Sequence, residues 1–184
     1  MKLWLARHAP PLAAQGLCYG ATDLEADGTA TLQAARALAA AVPHGVVVRT
    51  SPLRRCRQLA EALQALRPDL VPRADARLRE MDFGSWEGQR WEAIGTGAFD
   101  AWMADFAQHR CGGGESVAQL MARVASAFAQ ARGGGQDGLW ITHAGVVRAV
   151  RLLTRGVALP RAAADWPVEG LPFGASECLA LDPG

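Results

Sequence analysis

The chain has 184 residues, 50% of them hydrophobic and 20% charged, which fits one compact domain over residues 1–184 and excludes a disordered chain. Nineteen Lys and Arg stand against eighteen Asp and Glu for a net charge of +1, so composition offers no general attraction to nucleic acid or to an anionic membrane. Any anion site must be local, and with Lys2 the only lysine its cations would be arginines, whose planar fork suits carboxylate and phosphate.

Leu3 to Arg7 is short and apolar and reads as a buried strand, which His8-Ala9-Pro10-Pro11 ends because proline cannot continue a ladder. The same apolar run is too short for a signal-peptide core or a membrane span, so a soluble protein is expected. Residues 12–26 read as loop. From Asp27 an alanine-rich helix should bury Leu32, Ala35, Leu38, Ala39 and Val42 and stop at Pro43. Gly45 to Thr50 is β-branched and bounded by turn residues, a second strand. Ser51-Pro52 then predicts a serine N-cap and a proline at the first helical position, with Leu53, Cys56, Leu59, Ala60, Leu63 and Leu66 as the buried stripe and Pro68 beyond its end.

A short strand is expected over Leu70 to Arg73, then an irregular stretch at 78–88 and short helices around Trp91 and over Phe99 to Phe106. After Gly112-Gly113-Gly114-Glu115-Ser116, a helix places Val117, Leu120, Met121, Val124 and Phe128 on one face, and Gly133-Gly134-Gly135 ends it. Leu139 to Thr142 is a further buried strand, with His143 at its end and a helix carrying Val146, Val147, Val150 and Leu153 after it. Glu177 to Asp182 closes the pattern as a last strand. Alternating strands and helices predict a three-layer α/β/α sandwich with a mainly parallel sheet, whose ligands sit at strand C-terminal ends. Cys18, Cys56, Cys111 and Cys178 follow no paired spacing, which argues against a zinc site or disulfide scaffold and for a reducing, cytoplasmic setting.

Three strand-to-helix junctions carry chemistry: Arg7-His8, Ser51-Pro52-Leu53-Arg54-Arg55 and Thr142-His143-Ala144-Gly145. The fold rule puts them on one sheet edge, where a helix N-terminus at Ser51 and two arginines in its first turn would hold an anion such as phosphate. Each alone has an ordinary structural reading, as a polar strand exit or a solvated helix turn. Their coincidence at three matching positions points to a site.

These segments, with Leu78-Arg79-Glu80-Met81-Asp82-Phe83-Gly84-Ser85-Trp86-Glu87-Gly88 and Gly113-Gly114-Glu115-Ser116, resemble the histidine phosphatase superfamily, also called phosphoglycerate mutase-like, in the same order from residue 3 to about 155. The resemblance implies that His8 is the nucleophile, that Arg7, Arg55 and His143 hold the phosphoryl group, and that Glu80 is the proton donor. It also implies that residues 84–116 form a small cap-like insertion and that no metal or other cofactor is needed. Arg54 is left to solvent or the pocket rim. Ala9 and Pro10 depart from the family's usual glycine and polar residue, and Glu87 is expected as a surface carboxylate.

A neutral imidazole avoids the repulsion that an anionic nucleophile meets at a phosphate monoester. Arg7 and Arg55 would therefore hold the pKa of His8 below its free value of about 6.5. Glu80, by moving a proton to the leaving oxygen, would contribute roughly 10²–10⁴-fold. The loop Gly16-Leu17-Cys18-Tyr19-Gly20-Ala21-Thr22-Asp23 is most similar to the α-ribazole phosphatase subfamily of cobalamin biosynthesis, which implies Tyr19 and Gly20 at the substrate and α-ribazole 5′-phosphate as that substrate. Trp86, Trp91 and Trp102 could cover an apolar base, although core packing is the simpler use for at least two of them. A broad-specificity or phosphoglycerate mutase-like enzyme and a non-catalytic phosphate-binding domain stay open as alternatives, as does monomer against homodimer.

Overall fold

The computed structural model describes residues 1–181. A five-stranded sheet runs in the order β3-β2-β4-β1-β5, built from β1 (Lys2–Arg7), β2 (Val47–Thr50), β3 (Arg73–Ala74), β4 (Gly138–Thr142) and β5 (Ser176–Ala180). Only β5 is antiparallel, against β1. Five helices accompany the sheet: α1 (Gly28–Ala41), α2 (Arg54–Leu66), α3 (Thr96–Ala104), α4 (Val117–Gly134) and α5 (Ala144–Thr154).

The period-two alternation of the strands sorts the core into two faces. Trp4, Ala6, Leu139 and Ile141 pack with α1 and α2, whereas Leu3, Leu5 and Trp140 pack with α4 and α5. The α/β class, the mainly parallel sheet and the layering therefore follow expectation. Each leucine fully buried in these layers, such as Leu59 and Leu63, contributes about 1.5–3 kcal/mol.

Several boundaries differ for identifiable reasons. Asp27 does cap α1, its Oδ1 accepting from the Ala30 N–H at 2.7 Å, but the buried stripe is Thr31, Ala34, Ala35 and Leu38. Leu32 stands 50% exposed, because the small alanine face packs inward and the large side chain one step round the helix does not. Leu66, in the last turn of α2, is likewise 46% exposed. Ser51 is not the N-cap of α2. The chain bends at Pro52 and Leu53, Leu53 takes the N-cap position, and the first helical amide, that of Arg54, donates to Oδ1 of Asp23 from the preceding loop at 2.5 Å.

Strand β2 begins at Val47 instead of Gly45, and β3 occupies Arg73–Ala74 instead of Leu70 to Arg73, since Leu70 is fully buried below a turn. Around Trp91 the chain forms a single 3₁₀ turn, Trp91–Ala93. Helix α4 starts with a capping box between Ser116 and Gln119 and ends on Gly135 in the left-handed region, as the glycine run implies. Strand β5 starts one residue early at Ser176, and Asp182, its expected end, lies outside the described residues.

Candidate active site

Parallel pairing sets the strand ends level. Arg7 pairs with Thr142 and Thr50 with Ile141, and the ladder continues one step further, with the His8 N–H donating to Thr142 O at 3.2 Å and the Ser51 N–H to Ile141 O at 2.9 Å. His8, Ser51 and His143 thus stand side by side at the C-terminal edge of the sheet, where helices depart to opposite faces. The rings of His8 and His143 meet edge to face with centroids 5.0 Å apart.

His8 is only 2% exposed. Its Nδ1 lies 2.7 Å from the Ala9 carbonyl oxygen, an acceptor, so in the neutral ring Nδ1 carries the proton and Nε2 the lone pair. That contact uses the backbone, so alanine serves as well as any residue at position 9. The Arg55 Nε–H donates to His8 Nε2 at 3.3 Å. Burial above all, then the Arg55 charge and, more weakly, that of Arg7 push the His8 pKa down from 6.5 to about 3, although the bond to Ala9 works against them. The neutral form expected from sequence holds, but desolvation, absent from that expectation, is its largest single cause.

Arg55 is completely buried at the second position of α2. Its Nη2 donates to Gly20 O and its Nη1 to Thr22 O, each at 2.7 Å, so the loop before α1 orients it. Gly20 is required sterically, because a Cβ there would land on the Met81 carbonyl and the Phe83 ring. Tyr19 places its ring 5.5 Å from the Arg55 guanidinium carbon. Arg54 points away and pairs with Glu25. The helix N-terminus expected to bind an anion is already occupied by Asp23, so the positive charge of the site comes from arginine side chains.

The loop itself hangs on Glu87. One of its carboxylate oxygens accepts from the Ala21 and Phe83 amides at 2.7 and 3.0 Å, and the other from the Thr22 amide at 2.6 Å and the Thr22 hydroxyl. Burial alone would raise its pKa, but these donors together hold it below the usual carboxylate range. The expectation of a surface carboxylate is therefore wrong: Glu87 is half-buried and ties residues 21–22 to residue 83.

His143 is fully buried, with Nε2 2.8 Å from Ser51 Oγ and 3.4 Å from Cys56 Sγ. Burial first, then repulsion from a protonated His8 and from the Arg55 charge, hold its pKa well below the ordinary value. Arg7 donates from Nη1 to Leu171 O at 2.8 Å, and its Nε is buried without a hydrogen-bond partner. Glu80 sits across the pocket, its oxygens accepting from the Met81 and Gly145 amides at 3.0 and 3.1 Å. Gly145 permits that approach, since a Cβ would collide with the carboxylate. Arg123 on α4 braces the segment bearing Glu80 by donating to the carbonyls of Arg77, Arg79 and Glu80 while forming a two-pronged pair with Glu115.

A cavity of about 230 Å³ opens beside Glu80 and Gly145, walled by Phe83, Trp91, Trp102 and Trp166 among others, with Arg148 at its edge. Trp86 is 8% exposed and packs in the core, as the simpler reading held, whereas Trp91 and Trp102 pack against the core and also line this cavity. Asp23, Glu87, Arg123 and Trp166 were missed from sequence. The Ser-Pro-Leu-Arg-Arg segment could have hinted that Ser51 faces the second histidine, but nothing local marks the others.

A mostly parallel sheet thus carries Arg-His and Thr-His at adjacent strand ends around one buried arginine, on an α/β fold. The family model described as Histidine phosphatase superfamily (branch 1) matches residues 3–165, and the chain belongs to that family. A search of curated proteins found no match. Among solved structures, the native mycobacterial glucosyl-3-phosphoglycerate phosphatase Rv2419c is 25% identical, with 96% of this chain and 88% of that one covered and a TM-score of 0.81. The complex of the same phosphatase with inorganic phosphate gives 28% identity, 97% and 89% coverage and a TM-score of 0.76. TTHB049 from Thermus thermophilus is 32% identical over 97% of this chain and 93% of its own, with a TM-score of 0.71. Among the described residues no helix is long and apolar enough to cross a membrane.

Proposed function

We propose that the chain is a phosphomonoesterase that transfers the phosphoryl group of a small-molecule ester to Nε2 of His8 and from there to water. One observation carries this reading: the Nδ1–H of His8 is committed to the Ala9 carbonyl, so Nε2 bears the lone pair, which accepts from the Arg55 Nε–H until a phosphoryl oxygen takes over that donor. Attack by Nε2 on phosphorus forms the P–N bond as the P–O bond to the leaving alcohol breaks. Arg7, Arg55 and His143 surround the transferred oxygens and stabilise charge during in-line displacement. Glu80 protonates the departing alkoxide, then takes a proton from the water that attacks phosphohistidine and restores His8. The scheme assigns the positive charge to arginines and needs no metal ion.

Within that activity, α-ribazole 5′-phosphate is the substrate we favour. The loop around Tyr19 and Gly20 supports it, and so does the aromatic cavity beside Glu80, whose walls suit a flat apolar base on the leaving alcohol. We assign residues 84–116 to a cap over that cavity, in a single cytoplasmic domain that binds no nucleic acid or membrane. A second reading, a phosphatase acting on a phosphoglycerate-type ester, is supported by the likeness to glucosyl-3-phosphoglycerate phosphatase. The test is hydrolysis of p-nitrophenyl phosphate with and without EDTA, followed by kcat/KM for α-ribazole 5′-phosphate, 3-phosphoglycerate and glucosyl-3-phosphoglycerate. His8→Ala should abolish turnover and EDTA should leave it unchanged. Turnover by His8→Ala at the wild-type rate would refute the mechanism, and a preference for either phosphoglycerate would refute the substrate.

A further inference from the structure

Resting on the phosphoryl-transfer reading above, we propose that Phe173 is a positioning residue whose ring covers one face of the Arg7 guanidinium and the outer side of His8, leaving Arg7 one free edge for the phosphoryl group. The guanidinium carbon of Arg7 lies 3.6 Å from the Phe173 ring centroid, and the ring is 5.5 Å from that of His8. Phe173 is 38% exposed while His8 is 2% exposed, so the phenyl group stands between the imidazole and solvent.

A planar guanidinium hydrogen-bonds through its edges and stacks through its faces. Here Phe173 takes a face and the Leu171 carbonyl takes Nη1. What remains is the edge bearing Nε and Nη2, the fork that matches two oxygens of a phosphate, and Nε on that edge is buried with no partner. A buried unpaired donor is destabilising, and a phosphoryl oxygen on that edge would relieve it. The ring thus holds the plane of the Arg7 guanidinium, while the Leu171 carbonyl selects the edge left free.

The backbone holds Phe173 in place. Gly174, at φ +72°, turns the chain so that its amide donates to His8 O at 3.0 Å, and the Arg7 amide donates to Ala175 O at 3.0 Å. Further back, Arg148 donates to Pro167 O and Val168 O, and Arg151 to Glu169 O, which ties the segment to α5. None of this was legible from sequence, because Leu171 and Arg7 are 164 positions apart.

The experiment uses the full chain carrying Phe173→Ala, Phe173→Leu or Phe173→Tyr, with p-nitrophenyl phosphate as substrate and orthovanadate as inhibitor. Phe173→Ala and Phe173→Leu should each weaken vanadate inhibition and raise KM by about tenfold, with Phe173→Tyr within about twofold of wild type, because only an aromatic ring stacks on the guanidinium. Arg7, Arg55 and His143 face His8 in every variant. The acid limb of kcat/KM should therefore move to higher pH only where water gains access to the imidazole, most in Phe173→Ala and less in Phe173→Leu. Thermal melting should match wild type in all three, which separates positioning from folding. Phe173→Leu with wild-type vanadate inhibition, or Phe173→Ala with an unmoved acid limb, would overturn the proposal while leaving the phosphatase reading intact. No turnover by the wild-type chain would overturn that reading instead.

Discussion

Replacing Glu87 with glutamine changes one oxygen to an amino group, yet the geometry around it makes this a severe change. Each carboxylate oxygen accepts two donors, so whichever way the amide turns, its NH₂ meets either two amides or an amide and a hydroxyl that must turn over. Two hydrogen bonds to a charged acceptor are lost, each worth about 1.5–3 kcal/mol when buried. Because Glu87 is half-buried and water compensates in part, we expect a loss near 3 kcal/mol, or roughly 6–12 °C in Tm for a chain of this size. The freed loop carries Gly20 O and Thr22 O, the acceptors that orient Arg55, so kcat/KM should fall by about tenfold or more. Differential scanning calorimetry and p-nitrophenyl phosphate kinetics measure the two effects. A Tm within about 1 °C of wild type together with kcat/KM within about twofold would refute the view that Glu87 clamps the loop.

Gly20→Ala should also depress activity strongly, since its Cβ would strike the Met81 carbonyl and push the loop off Arg55, whereas Gly28→Ala, with open space at that position, should leave turnover unchanged. Equal activities of the two variants would sink the argument. Stability should fall as the solution is acidified. The unfolded chain binds a proton at His8 below about pH 6.5. The folded chain resists until about pH 3, so the stabilisation is complete above the first value and lost through the second. The depressed pKa of Glu87 acts in the same direction at lower pH, its contribution present above the free carboxylate value and lost below it. Urea midpoints at pH 7.5 and 5 should therefore differ, and should differ less in His8→Asn; an unchanged midpoint in wild type would count against buried neutral histidines.

Local sequence determined much of this protein. Apolar runs ending in Arg7-His8 and Thr142-His143 mark strands because the residues needed for a buried strand and for its exit are neighbours in the chain. Register then places them together, since parallel pairing of β1 and β4 aligns the two histidines once the sheet forms. Asp27 and Ser116 announce helix starts because a cap acts within three residues. Ser51 misled for the same reason. Its hydroxyl accepts from the Leu53 amide at 3.3 Å, ahead of the helix, and also meets His143 Nε2 at 2.8 Å, a distant use that only the folded chain reveals.

What the tertiary structure alone decided is how the charges are held. Arg55 takes its orientation from Gly20 and Thr22, those from Glu87, Glu80 its bracing from Arg123, and Arg7 its free edge from Leu171 and Phe173. These partners come from separate loops and helices, and no periodicity in the chain encodes their distances. A strand or helix is specified by short-range sterics and hydrogen bonds repeated along the backbone, while the direction of a buried guanidinium depends on acceptors that reach it only when the loops have packed.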